Sequence, residues 1–394
     1  MRFIDSIFSL MKKIISIIVL FITSISLFAH WQPNSFKNNS YTIEWNKETL
    51  VCISEEGCYP RMERLSDKSL IVVYENLKGD VLAKKSFDEG QTWSKATTVY
   101  SHFEYKEANQ ITNVRIANPE LISLPNGDIL FACNLRPDKE GIFPLSISIK
   151  RSTDKGNSWH NAKVVYEADS RFKDGCWEPS FLLLPDGTLH LYFANENPYK
   201  DSDDQEISMI SSKDYGKRWT SKITKVCYRV KHRDGMPVAI IDNDEIFVLI
   251  EDNEVAQFKP YIVKSSIYNA WEKPVLSNSK NRYAALDKPL HESVYAGAPY
   301  FIRMDNELFV ISYQTTENRT SNWELSAMEV AISDSPQNFK NPSRPFDVPL
   351  SKEAKWNSLT DLGNNVIAAL SSTNFNSQTI GVWMIKGEII KKLR

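Results

Sequence analysis

What this 394-residue chain lacks narrows its chemistry at once. It has no Cys-x-x-Cys pair and no cysteine–histidine cluster at zinc spacing. None of its six histidines falls in a His-Glu-x-x-His motif, so no metal and no cofactor are expected. Charge of one sign is missing too: 47 Lys and Arg against 49 Asp and Glu leave a net −2. That excludes the electrostatic footprint of a nucleic-acid or anionic-membrane binder and favours a neutral partner. Helical periodicity is absent along the chain. Hydrophobic residues at 42% and aromatics at 11% nevertheless leave ample material for a core, which excludes disorder.

The longest apolar run, Ile14 to Phe28, is short for a membrane span and follows the basic Met11-Lys12-Lys13. Residues 1–29 are expected to be a signal peptide, with Met11 as an alternative start, and residues 30–394 the mature domain. Export to the periplasm or the medium follows, with no membrane span once the signal is gone. Five cysteines (Cys52, Cys58, Cys133, Cys176 and Cys227) leave at least one unpaired. Cys52 and Cys58 are near enough in sequence to bridge one loop.

Self-similarity organises the rest. One motif occurs three times: Ser86-Phe-Asp88-Glu-Gly90-Gln-Thr-Trp93, Ser152-Thr-Asp154-Lys-Gly156-Asn-Ser-Trp159 and Ser212-Lys-Asp214-Tyr-Gly216-Lys-Arg-Trp219. Worn copies run from Ser265 to Trp271 and from Ser333 to Phe339. The residue types specify a turn: Ser and Asp bond backbone N–H groups, Gly takes a positive φ, and Trp packs beneath. In register with it, six apolar stretches break at a polar turn and resume, at Asp67, Asn126, Asp186, Asn243, Asn306 and between Leu359 and Val366. Each is a hairpin signature, and together they predict an all-β, six-bladed propeller. Residues from Tyr41 to Val51 are expected to complete the blade begun at Trp356.

In a propeller, residues just before a blade's first strand and just after its second share the rim around the central pocket. Before first strands stand Tyr59-Pro60-Arg61, Arg115 to Glu120 (with Asn118), Trp177-Glu178-Pro179, Arg233 to Pro237 (with Asp234), Tyr295 to Tyr300 and Trp356-Asn357. After second strands stand Tyr74-Glu75, Asn134 to Arg136, Asn195-Glu196, Glu251-Asp252, Tyr313-Gln314 and Ser371-Ser372. Carboxylates, arginines, amides and aromatics in one ring suit a saccharide. Arg61, Arg115, Asn118, Arg136, Trp177, Asn195, Arg233, Asp234, Tyr300 and Gln314 are the candidate binding residues. Glycosidic cleavage needs two facing carboxylates, and Glu178 and Glu251 are favoured. Trp177 and Pro179 offer Glu178 an apolar setting, and Glu251 ends a buried run. Glu75, Glu120 and Glu196 occupy similar positions and are alternatives.

The repeated motif resembles the Asp-box of sialidases and their relatives, which implies a sialidase-like six-bladed propeller with the boxes on the face away from the active site. Within that group, Tyr59-Pro-Arg61-Met-Glu-Arg-Leu65, Trp177-Glu178-Pro179, Arg233-Asp-Gly235-Met236-Pro237 followed by Glu251, and Ala296-Gly-Ala-Pro-Tyr300 with Ser312-Tyr313-Gln314 are similar to glycoside hydrolase family 93. The resemblance implies a retaining exo-α-L-arabinanase with Glu178 and Glu251 as catalytic pair, the order of roles open. It also implies assistance from Tyr313 at the pocket floor, and a monomer acting on an oligo- or polysaccharide.

Two rivals remain. An exo-sialidase would use three arginines on a substrate carboxylate. Arg61 stands where the first would be, Arg115-Ile116-Ala117 comes near the expected motif in the second blade, and Arg282 and Arg303 sit in a loop and a strand. A non-catalytic carbohydrate-binding propeller is the other.

Overall fold

Apolar residues on both faces of a strand mean burial on both sides, and the second strand of each blade has this character. Leu70–Glu75 sends Leu70, Val72 and Tyr74 into one hydrophobic cluster and Ile71 and Val73 into another. The structure, a computed structural model, describes residues 40–160 and 162–392. The expected signal segment, 1–29, lies outside the described residues.

Six antiparallel sheets make up the compact unit Tyr41–Ile390. Their innermost strands are Cys58–Arg64, Gln110–Ser123, Cys176–Leu183, Asp234–Asp242, Ala296–Arg303 and Ala354–Gly363. Each inner strand touches the next, and the sixth touches the first, so the ring closes. The closure uses both ends of the unit: Ser40–Ser54 pairs with Gly381–Lys392 as the outermost strand of the sixth blade. This is the six-bladed propeller expected from the repeat, including the role of the segment near Tyr41. Blade two alone has five strands, because Phe103–Glu107 folds back on the start of its inner strand.

The core is distributed. One apolar cluster fills each of the six gaps between neighbouring blades, from Val73 against Phe131 in the first to Leu370 against Met62 in the last. The three intact boxes are built alike. Ser152 Oγ accepts the Gly156 N–H at 2.7 Å and donates to Asp154 at 2.8 Å, while Asp154 accepts the Ser158 N–H at 2.9 Å. The boxes follow third strands and lie with the hairpins that join first and second strands: Lys155 reaches Asp67 of the previous blade at 2.6 Å. All five cysteines are free thiols, Cys52 and Cys58 included.

Candidate active site

At the end of the barrel opposite the boxes, all six inner strands slip register at one place. The slips fall at Tyr59-Pro60, Asn118-Pro119, Glu178-Pro179, Met236-Pro237, Ala298-Pro299 and Trp356-Asn357. The first residue of every pair has a positive φ, between 46° and 58°. That conformation costs a non-glycine residue about 1–2 kcal/mol. Proline is tolerated next because a bulge asks no ladder bond of it. These bulges close the axis: Tyr59, Met236 and Ala298 pack together with Trp356 beside them, and the Tyr59 hydroxyl reaches Met236 Sδ across the ring at 3.8 Å.

Each bulge exposes an N–H that the ladder cannot use, and the neighbouring blade supplies the acceptor. Glu75 takes the N–H of Asn118 at 2.8 Å, Asn134 that of Glu178 at 2.8 Å, and Glu251 that of Ala298 at 2.8 Å. Gln314 takes Trp356 at 2.9 Å and Ser372 takes Tyr59 at 2.8 Å. These five acceptors occupy one repeated register position. In blade three that position is Ala194, opposite Trp177, and it has no acceptor. Glu178 fills the gap, accepting the Met236 N–H at 3.1 Å.

Glu178 and Glu251 therefore converge on one piece of backbone. A Cβ placed on Gly235 would stand 2.9 Å from Glu251 Oε1, so the bare glycine lets that carboxylate lie against the backbone next to the Met236 N–H held by Glu178. Burial first, then the nearby Glu251 charge, raises the Glu178 carboxyl above the usual carboxylate range. Burial raises Glu251 likewise, against the Ala298 N–H and Arg233, which favour its charge. Two adjacent carboxyls with raised proton affinity can supply one acid and one base near neutrality.

Arg233 stands beside both, its guanidinium bonded to Glu196 and, at 2.6 Å, to Gln205. Glu196 is thereby occupied, and it also accepts Trp177 Nε1 at 2.8 Å. Tyr295 belongs to the site although no motif marked it. Its hydroxyl accepts Gln314 Nε2 at 2.9 Å, and a Cβ on Gly297 would meet Tyr295 Oη at 2.5 Å and Glu251 Oε2 at 2.6 Å. An aromatic just ahead of a first strand was the only signal for it.

Of the other expected residues, Asn118, Arg115, Arg136, Trp177, Arg233 and Gln314 lie at or beside the bulge ring. Tyr313 does not. It points the other way from Gln314, is buried between blades four and five, and bonds Glu329 at 3.0 Å. Asn195 is also turned away, bonded to Ser208 at 3.0 Å and Tyr166 at 3.0 Å, one residue past the register position. Asp234 is a structural anion: fully buried, it holds Arg282 at 2.5 Å, which also holds Asp252 at 2.6 Å. Arg61 and Tyr300 lie on the hairpin side of the bulges. Arg61, 3% exposed, sits 4.2 Å from the Tyr59 ring and 4.9 Å from the Tyr300 ring, with Glu120 at 3.3 Å. Tyr300, Glu63 and Glu120 line a separate cavity of about 540 Å³ among the inner strands.

Residues 138–246 match the model of the BNR repeat-like domain. No curated protein matches the chain. Among solved structures, the α-L-arabinofuranosidase of Fusarium graminearum, in complex with an iminosugar inhibitor, is similar over 90% of this chain and 97% of its own, at TM-score 0.61 and 17% identity. The α-L-arabinanase of Penicillium chrysogenum, complexed with arabinobiose, superposes over 86% and 98% at TM-score 0.62 and 18% identity. A Hadza microbial sialidase gives 86% and 66%, TM-score 0.59 and 13% identity.

Proposed function

We propose that this sialidase-like BNR-repeat propeller is a retaining exo-glycoside hydrolase of the α-L-arabinanase kind, with Glu178 as nucleophile and Glu251 as acid/base. The observation that carries the reading is the convergence of the two carboxylates on Gly235 and the Met236 N–H. The arabinan-acting structural neighbours support the substrate class.

In the first step Glu251 gives its proton to the glycosidic oxygen while a Glu178 oxygen bonds the anomeric carbon, and the leaving alcohol departs. In the second, Glu251 takes a proton from water, whose oxygen displaces Glu178 and regenerates both groups. Arg233 steadies the carboxylate charge, and Tyr295 reaches toward Glu251. The reading carries export with it, resting on the apolar run after Lys13.

A sialidase needs three arginines converging on one carboxylate at the floor, and three of the four arginines named for that role are committed elsewhere. Arg61 is enclosed with Glu120, Arg282 is spent on Asp234 and Asp252, and Arg303 pairs with Asp242 at 3.3 Å. Incubation with linear α-1,5-arabinan and, separately, sialyllactose tests the reading. A single short arabino-oligosaccharide, absent with Glu178→Gln, is expected. Free sialic acid, or product undiminished in Glu178→Gln, would overturn it.

A further inference from the structure

Blade two carries an electrostatic oddity beside the candidate site. Arg115 and Arg136 are direct partners on neighbouring strands, so two like charges face each other, an arrangement that destabilises a sheet. Both are exposed, and among the described residues neither forms an ion pair or a hydrogen bond. They flank a pocket of about 270 Å³ shared with Glu75, Asp138 and Phe172. Neither carboxylate there forms an ion pair with them, and the Arg115 and Arg136 charges only partly offset the burial of Glu75. Glu75 is latched to the Asn118 N–H and pushed up to about 7 by burial, and Asp138 is bonded to Asn113 at 3.3 Å.

The pocket adjoins the chemistry. Asn134, which holds the Glu178 N–H, precedes Arg136 by two residues on the same strand, hence on the same face and about 6.6 Å away. The Arg136 guanidinium also lies 5.4 Å from the ring of Trp177, the neighbour of Glu178. The arginine pair thus lies next to the strand segment that carries Glu178. Phe172 supplies an apolar face for sugar C–H groups, Trp177 backs the Arg136 guanidinium, and a planar guanidinium grips a carboxylate through two parallel bonds.

We propose that Arg115 and Arg136 form a subsite for the carboxylate of an acidic sugar, beside the bond cleaved at Glu178 and Glu251. It rests on the glycosidase reading for that bond, while the binding itself is independent of it. The substrate would then be a glycan in which a uronic acid or related acid sugar neighbours the residue released.

The test is calorimetric titration of the full protein carrying Glu178→Gln with galacturonate, glucuronate, galactose and inorganic phosphate. Both or either uronate should bind at least about tenfold more tightly than galactose, and Arg115→Gln or Arg136→Gln should weaken it about ten- to a hundredfold, the range for a charge-assisted bond. Arg136→Lys should recover part of the loss. Equal affinity for galactose, or indifference to both substitutions with unchanged melting temperatures, overturns the subsite. Phosphate binding as tight as either uronate overturns the sugar assignment. Arabinan turnover by the unsubstituted protein is measured alongside. Turnover without uronate binding sinks the subsite alone, and uronate binding without turnover of any glycan sinks the hydrolase alone.

Discussion

Glu178 accepts the backbone N–H of Met236 at 3.1 Å, in the one blade whose second strand has Ala194 at the acceptor position and so nothing to offer that N–H. The five other blades give the task to the residue at the repeated register position of the neighbouring second strand, which in one case is Glu251, the other candidate catalytic carboxylate. The proposed nucleophile is thus also a structural latch, and substitutions at Glu178 separate the two roles.

Glu178→Gln keeps a carbonyl oxygen for the Met236 N–H and removes the ionisable group. Its melting temperature should stay close to that of the unsubstituted protein while turnover is lost. Glu178→Ala loses both, and should melt lower because a buried N–H is left unmet, a cost of about 1–3 kcal/mol. Thermal unfolding beside product chromatography distinguishes the two effects.

Glu251→Gln preserves the Ala298 latch in the same way but removes the proton donor. A lost general acid costs about 10²–10⁴-fold in rate. The loss should be smallest on substrates with good leaving groups, such as nitrophenyl glycosides, and greatest on natural linkages. Equal losses on both would sink the acid/base assignment.

Asp234 was expected at the substrate and is found holding Arg282. Asp234→Asn should therefore act on folding, at about 3–5 kcal/mol for removal of one partner of a buried pair, with Asp252 keeping it toward the low end. Chemical denaturation measures this. The KM of folded enzyme should be unchanged, and a raised KM with normal stability would restore the substrate-binding role.

Ser152→Ala probes the far face. It leaves the Gly156 N–H without the acceptor it has at 2.7 Å, so stability should fall by about 1–3 kcal/mol. Rates at saturating substrate should not change, because the box lies at the other end of the blades.

The repeat was legible because its turns need particular residues, and Ser, Asp and Gly at fixed offsets leave few alternatives. The two converging carboxylates were legible because Trp177-Glu178-Pro179 and the Glu ending a buried run stand out against apolar neighbours. What failed did so by one residue. Alternation sends neighbours to opposite faces, so of Tyr313 and Gln314, both named, only Gln314 faces the bulge ring, and Asn195 was named where Ala194 holds the position. Both pairs sit on unbroken second strands, where the end of the apolar run marks the segment and does not say which of two adjacent residues faces the axis. Asp234 failed differently, because its partner Arg282 lies 48 residues away and no local pattern announces it.

The cavity on the hairpin side of the bulges makes stability depend on pH. Burial, with the Glu120 charge next, pushes Glu63 up from 4.5 to about 8, and burial outweighs Arg61 to push Glu120 up to about 7. A carboxyl whose affinity for its proton is raised on folding contributes stability fully present below its unfolded value, near 4.5, and lost as pH rises through the folded value. The melting temperature should accordingly decline from pH 5 toward pH 8–9, with Glu120 and Glu63 both contributing up to about pH 7 and Glu63 continuing beyond it. Glu63→Gln cannot ionise, so its curve should be flatter and lie above that of the unsubstituted protein on the alkaline side. Differential scanning calorimetry across that range decides the matter: parallel curves for the two proteins would mean that Glu63 titrates no differently when folded.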